Sequence, residues 1–444
     1  MPDPDLGNRL GAKLVPLGTA VAHIASGSVV AAAPFSCTPY TLCRGLAERA
    51  GRGELRDIRV DHPAALFPWT DPRWAGAIHL VDNYATAANR AACLAGQTSY
   101  LPVGRWMEYQ VPPGWSPEPD VYLVPVSPPD ERGYCSFGPG VWFSGTLVRS
   151  AKLVLAEIQP DFIRTGGENH VHVDEIDFFV EAEEQTGGVP DAPPSDEEVA
   201  TTEVICNLVA AELVNDADTL QLGVGTVSAS VAPYLGFRND LGVQTELITG
   251  GIADLVEQGV VTGRYKTIHK HKVVGSALVA LSDAEMAKID GNPVFELYDF
   301  GYTDDLRRLI QIENFVTINN AMTVDLGGQV AAESFDHRPY TGVGGQTVFM
   351  LAGAYSRGGR SVSVVPSSAV PTSTGERVSR IVAGLPPGTP VTVPRTYVDY
   401  VVTEHGIAEL RGKTVAERAA RLIEIAHPDF REELRSEAKR LYAL

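Results

Sequence analysis

No stretch of the chain approaches 18 uninterrupted apolar residues, so no membrane-spanning helix is expected. Positive charge is in short supply: 36 Lys and Arg face 55 Asp and Glu, a formal net charge of −19. That balance argues against nucleic acid or an anionic membrane as a partner. A small anion can still bind at a local basic patch, because surface fields are screened within about 10 Å at ordinary salt. Cysteine is scarce. Cys37, Cys43, Cys93, Cys135 and Cys206 are odd in number, irregular in spacing and contain no CxxC pair. This points to free thiols in a reducing cytoplasm, and away from a disulfide framework or structural zinc. MPDPDLGNRL has no basic stretch leading into an apolar one, so no signal peptide is expected. Glycine and proline are scattered rather than repeated, which excludes collagen-like and low-complexity classes.

What is present is an ordinary globular composition, 44% hydrophobic and 20% charged over 444 residues, long enough for two domains. The segment Glu184 to Ala200, EQTGGVPDAPPSDEEVA, combines prolines, paired glycines and an acidic run with little to bury. It places a boundary near residue 190, giving domains over 1–190 and 191–444. Each part alternates short apolar runs with amphipathic stretches. Strands are predicted at Val29–Ala33, Asp57–Val60, Ile78–Val81, Val121–Val126 and Leu153–Ile158, with helices at Leu42–Gly51 and Ala85–Leu94. In the second part, Val199–Leu213 is helical, Leu220–Leu222 is a strand, and a helix runs from the Gly223–Gly225 turn through Tyr234. Val243–Glu246 is the next strand and Ile252–Gln258 the next helix. Helices Val415–Ile425 and Asp429–Leu441, separated at Pro428, close the chain. The expected fold is α/β: two open domains with largely parallel sheets and flanking helices, and an active site at the domain interface.

Leu220 to Gly225, LQLGVG, is a strand entering a glycine turn. A helix beginning there would offer free N–H groups to an anion, and Gly223 and Gly225 are candidate substrate contacts. The pattern is half of a dinucleotide fingerprint, with Glu246 about 20 residues on, but Ser228 stands at the third glycine position. A plain tight turn is the stronger reading of these residues. Glu246 itself ends the strand of the TELITGG segment, beside small residues that leave room for a substrate. Ligands of open α/β sheets bind at such carboxyl ends, where a glutamate can be nucleophile, general base or ligand, or simply a solvated carboxylate.

The run LQLGVG followed by VQTELITGGIADLVEQGVVTGRYK resembles the acetyl-CoA hydrolase/transferase family, which includes 4-hydroxybutyrate and butyrate–acetate CoA-transferases. The resemblance continues in SPPDERGYCS (127–136), RTGGEN (164–169), INNA (318–321), GVGGQ (342–346), DYVVTEHGIAELRG (399–412) and AHPDFR (426–431). It implies that Glu246 is the catalytic nucleophile, with Gln221 beside it. It also implies that Gly342, Val343, Gly344, Gly345 and Gln346 form the CoA-binding loop. Glu168 and Asn169, in a glycine turn of the first domain, could line the pocket. CoA would be a substrate, with no cofactor bound permanently, and the partners would be an acyl-CoA and a small carboxylic acid. Family analogy also suggests a homo-oligomer. Two positions depart from the common pattern: Gln244 where many members have histidine, and Val348 where many have aspartate. The implied reaction is CoA transfer through a glutamyl-CoA thioester. The same machinery with water as acceptor would be an acyl-CoA hydrolase. A nonenzymatic acyl-CoA-binding relative is the third reading, against which an intact Glu246 argues.

Arg264, Lys266, His269, Lys270, His271 and Lys272 form the densest basic cluster. They read as a contact for CoA phosphates or as a solvated loop and strand edge. His170, His172 and Asp174 share one face of a possible strand, a spacing that imitates a metal site, but no metal is expected because the family carries a similar stretch without one. Asn319 and Asn320 follow a strand and are expected to satisfy turn backbone.

Overall fold

The computed structural model describes residues 6–104, 118–187, 194–371 and 374–442. The Ala-Pro-Pro stretch of the linker lies largely outside them. The chain divides into two compact units: Met1–Pro190 with Gly275–Thr303, and Asp191–Val274 with Asp304–Leu444. The break near 190 coincides with the linker composition. The return of Gly275–Thr303 to the first unit has no compositional mark. It is made by backbone pairing, since Glu296 and Leu297 ladder in parallel with Gly166 and Gly167.

The first unit holds a seven-stranded, wholly parallel sheet. Its strands are β1 (Val29–Ala32), β2 (Ile58–Asp61), β3 (Ile78–Asp82), β4 (Ser99–Tyr100), β5 (Val121–Val126), β6 (Leu153–Ile158) and β7 (Phe178–Glu181), in the order β7-β6-β5-β1-β2-β3-β4. Every residue of β5 is buried, as an unbroken apolar run covered on both faces requires. Helix α1 (Tyr40–Gly51) buries Leu42, Leu46 and Ala47 against the core of Val30, Val60 and Val121. The helix predicted over Ala85–Leu94 is only one turn, Arg90–Leu94. Side chains take over the backbone before it: Asp82 accepts from Ala64 N (2.9 Å) and Tyr84 N (2.8 Å), and Asn89 accepts from Thr86 N (2.7 Å).

The second unit contributes α2 (Asp196–Leu208), β8 (Thr219–Leu222), β9 (Gly242–Gln244), α3 (Ile252–Glu257), β10 (Val273–Gly275), β11 (Phe315–Asn320), α4 (Gln346–Tyr355), β12 (Arg360–Val364), β13 (Tyr400–Thr403), β14 (Gly406–Glu409), α5 (Val415–Ile425) and α6 (Arg431–Tyr442). Its strands run β14-β13-β12-β11-β8-β9-β10, all parallel except the terminal β13–β14 hairpin. From β8 the chain builds outward through β9 and β10. From β11 it builds the other way through β12 and β13. The strand order therefore reverses between β8 and β11, and the carboxyl ends of that pair are where such a sheet opens a ligand crevice. Helix α4 packs on β11 and β12. Helix α5 begins in a capping box, Glu417 N donating to Thr414 Oγ1 and Thr414 N to Glu417 Oε2. It buries Leu422 and Ile425 in a core with Val324, Ile381 and Val401.

Candidate active site

Glu246 stands two residues past β9, held by its neighbour. Thr245 is buried; its N–H donates to Val274 O (3.0 Å), and its hydroxyl meets Leu222 O and Leu247 O (3.1 Å each). The residue before the glutamate is thus tied to β10 on one side and to the end of β8 on the other. The glutamate side chain, half-buried, is left at the carboxyl end of the sheet.

Beneath this turn lies Lys266, 1% exposed. Its ammonium donates to Val243 O (2.7 Å), to Lys272 O (2.8 Å) and, at 3.4 Å, toward Gln244 Oε1. The basic cluster therefore differs from both sequence readings at its central residue: Lys266 is neither solvated nor presented to a phosphate, but clamps the strand that carries Glu246. The rest of the cluster sits in the loop entering β10, beside Leu241 and Glu313. These residues precede β9 and β11, so the loop lies at the amino ends of the parallel strands, opposite the end that holds Glu246. Gln244, where the family often has histidine, supplies one of the acceptors around the clamp.

The loop Gly342–Gln346 leads into α4. Gly344 has φ +56° and Gly345 precedes the first helical residue with no side-chain cap. The first turn of α4 contains no acidic residue and its N-cap makes no side-chain hydrogen bond, so the positive end of its dipole favours an anion brought from elsewhere in the chain or by a ligand. Gly345 brings the loop and the glutamate together. A Cβ built on it would overlap Glu246 Oε2, and would stand 2.7 Å from Asp304 Oδ2 and 2.9 Å from Phe349 Cε2. The glycine is therefore a space requirement: its Cα face is occupied by the carboxylate. Gln346 Nε2 donates to Asn320 O (2.9 Å), tying the loop to the end of β11. Val348, in place of the family's aspartate, is 2% exposed on the buried face of α4.

Gln221, the penultimate residue of β8, pairs its amide with Asn319 of β11. Gln221 Nε2 donates to Asn319 Oδ1 (3.1 Å) and Asn319 Nδ2 returns a bond to Gln221 Oε1 (2.8 Å). Asn319, expected to serve turn backbone, instead forms this buried amide pair across the switch point. Asn320 does serve backbone, accepting from Ser228 N (2.9 Å). Gly223 and Gly225 are explained by the same asparagines. A Cβ at Gly223 would lie 2.9 Å from Asn319 Oδ1, and one at Gly225 would collide with the Asn320 side chain. The helix predicted to run through Tyr234 is reduced to two 3₁₀ turns, Ser228–Ser230 and Ala232–Leu235. Pro233 lacks an N–H, and Ser230 Oγ bonds back to Thr226 O. The strand–turn–helix that a dinucleotide fold needs is therefore missing here.

In the first unit, Glu168 is exposed and accepts from Asp299 N (3.3 Å). Asn169 is a buried bracket: Oδ1 accepts from Phe137 N (3.0 Å), and Nδ2 donates to Gly138 O (2.8 Å) and Thr165 Oγ1 (2.9 Å). Its amide is spent on the backbone of that turn. His172 caps a 3₁₀ turn, Nδ1 accepting from Asp174 N (3.3 Å). Among the described residues no group of three or more His, Cys, Asp or Glu is placed to hold a metal ion, and no helix is long and apolar enough to cross a membrane. Sequence reasoning missed Asp304, which reads as one of two aspartates ahead of a short helix; only the fold places it at Gly345.

Comparison with known proteins identifies the family of the chain. Residues 282–438 match the acetyl-CoA hydrolase/transferase C-terminal domain. The chain is 34% identical to 4-hydroxybutyrate coenzyme A transferase of Clostridium kluyveri, over 97% of this chain and 98% of that protein. It is 35% identical to succinyl-CoA:cyclohexane-1-carboxylate CoA transferase of Geobacter metallireducens, over 91% and 90%. The crystal structure of RipA from Yersinia pestis superposes with a TM-score of 0.90 at 31% identity, covering 99% of this chain and all of that one. The chain therefore belongs to the acetyl-CoA hydrolase/transferase family, and is a CoA-transferase.

Proposed function

We propose that this enzyme moves CoA from an acyl-CoA to a small carboxylic acid through a thioester on Glu246. The observation that carries the reading is the convergence of the Glu246 carboxylate with the glycine loop at the uncapped start of α4. A carboxylate oxygen of Glu246 attacks the thioester carbon. The carbon–sulfur bond breaks, its electron pair leaves on the CoA sulfur, and a mixed anhydride remains on the enzyme. The thiolate then attacks the glutamyl carbon, expelling the acyl group as its carboxylate and leaving a glutamyl-CoA thioester. An acceptor carboxylate runs the same steps in reverse. Each addition builds negative charge on an oxygen beside the loop, where N–H donors and the helix dipole favour it; one such donor is worth about 3–4 kcal/mol in other enzymes.

CoA binding by Gly342–Gln346 rests on the small side chains that let a ligand reach backbone. Gln221 acts through Asn319 by fixing the floor of the crevice, since its own amide is committed. The names of the two relatives give 4-hydroxybutyrate and, paired with succinyl-CoA, cyclohexane-1-carboxylate, which makes monocarboxylic acids the acceptor class to test first and succinyl-CoA a donor to test with them. Pure protein is incubated with an acyl-CoA with and without a second acid. Formation of a new acyl-CoA only when the acid is present is expected; thiol release at the same rate without acid would make the enzyme a hydrolase. Assembly as a homo-oligomer, carried by family analogy alone, is read by light scattering.

A further inference from the structure

Glu246 is not the only carboxylate at Gly345. Asp304 is fully buried, 0% exposed, and its Oδ2 stands 2.7 Å from the point that a Cβ on Gly345 would occupy. Glu246 Oε2 overlaps that same point. The two oxygens thus lie within a few ångströms of each other, over a glycine whose missing side chain makes room for both. Two carboxylates placed this near each other repel, and one proton shared between them relieves the repulsion. Position assigns that proton. Glu246 is half-buried at the uncapped amino end of α4, which favours its anion, whereas enclosure favours the neutral form of Asp304.

We infer that Asp304 is a further catalytic residue, whose carboxyl O–H donates to Glu246 Oε2 and leaves Oε1 as the oxygen that attacks the thioester. This rests on the reading of Glu246 as nucleophile, and it gives the proton a use in both half-reactions. During the first attack, the electron pair of the new carbon–oxygen bond comes from Oε1, and the O–H holds the carboxylate in one orientation. Once Oε1 is acylated, Oε2 is the glutamyl carbonyl oxygen. When the CoA thiolate adds to the glutamyl carbon, the developing oxyanion is on Oε2, already facing the Asp304 O–H. The carbon–Oε1 bond then breaks and the acyl carboxylate leaves. The proton remains on Asp304 throughout, so no acid or base need be supplied. A carboxyl group kept neutral by enclosure so that it can donate to an oxyanion is known chemistry in other folds.

The test compares full-length Asp304→Asn with Asp304→Leu. Asparagine keeps an N–H donor for Oε2; leucine has similar bulk and none. The readout is the single-turnover rate at which acyl-CoA converts the enzyme to its glutamyl-CoA form, followed by intact mass, together with KM for acyl-CoA. Asp304→Asn is expected to stay within about 10-fold of wild type, and Asp304→Leu to fall by about 10²–10³-fold, as loss of an oxyanion donor does elsewhere. KM should be little changed in both, because the CoA handle is untouched. Wild-type rate in Asp304→Leu, or equal losses in the two variants, would overturn the role of Asp304. Failure of the wild type to form any glutamyl adduct would instead remove the Glu246 reading, and this inference with it. If Asp304→Leu does not fold, infrared difference spectra of wild type labelled with ¹³C-aspartate decide: a protonated aspartic carboxyl band that shifts on thioester formation is expected, and its absence overturns the proposal.

Discussion

Gly345→Ala is the sharpest perturbation the site offers, because it adds one carbon and nothing else. The backbone there has φ −90°, which alanine adopts freely, so strain does not confuse the result. The new Cβ would land on Glu246 Oε2 and stand 2.7 Å from Asp304 Oδ2 and 2.9 Å from Phe349 Cε2. Phe349 is fully buried, as is Asp304, so neither can retreat cheaply. Glu246, half-buried, is the group that must move. A displacement of about 1 Å at a reacting atom costs on the order of 10² in rate, or about 3 kcal/mol of activation free energy. Overpacking adds about 1–3 kcal/mol of lost stability if the helix shifts instead. Steady-state acyl transfer and thermal unfolding of the same preparation separate these. The expected result is a kcat lower by about two orders of magnitude with KM for acyl-CoA changed far less. A variant with wild-type kcat would refute the claim that the carboxylate occupies the space above this glycine.

Three further outcomes test other parts of the account. Lys266→Met leaves the Val243 and Lys272 carbonyls without their buried donor and should cost ~2–4 kcal/mol in urea unfolding, with kcat falling alongside. Gln221→Leu strands both ends of the Asn319 amide and should cost about 1–3 kcal/mol; adding Asn319→Leu should recover part of that in a double-mutant cycle. In the first unit, burial raises Glu157 from 4.5 to about 8, against the lowering effect of the bonds it accepts from Leu42 N and Gln159 Nε2. The folded protein therefore holds a proton that the unfolded chain has released. Stability should decline between pH 4.5 and about 8, at up to ~1.4 kcal/mol per unit, and level off above. Glu157→Gln should lack this decline and exceed wild type in melting temperature above pH 8.

The sequence disclosed much of this fold because most of its elements carry local signals. The all-buried run Val121–Val126, the amphipathic stretch Val415–Ile425 and the proline at 428 each read correctly from pattern alone. Glu246 was legible as a strand-end carboxylate, and the nucleophilic role proposed for it is what the resemblance implies. What was not legible was set by contacts far apart in the chain. Asn89 and Asp82 capture backbone that periodicity assigns to a helix. Asn319 and Asn320 fill the spaces at Gly223 and Gly225 that a local reading gives to a ligand. Lys266 looks solvated in a run of basic residues, yet its stem is enclosed by strands that the run does not contain. Asp304 has no motif of its own; β9, α4 and the return of the chain at residue 304 have to be assembled before it stands with Glu246 at Gly345. The segment 275–303 is similarly silent, because its membership in the first unit is written in hydrogen bonds between Glu296, Leu297 and a glycine pair more than a hundred residues earlier.

The central claim is a covalent bond to Glu246, and one measurement addresses it directly. Enzyme exposed to acyl-CoA is trapped with borohydride or hydroxylamine, digested, and mapped by mass spectrometry. Modification of the peptide containing Thr245-Glu246-Leu247, confined to Glu246 and lost in Glu246→Ala, is the predicted result. Unmodified Glu246 in an enzyme that still turns over, or full turnover by Glu246→Ala, would contradict the account.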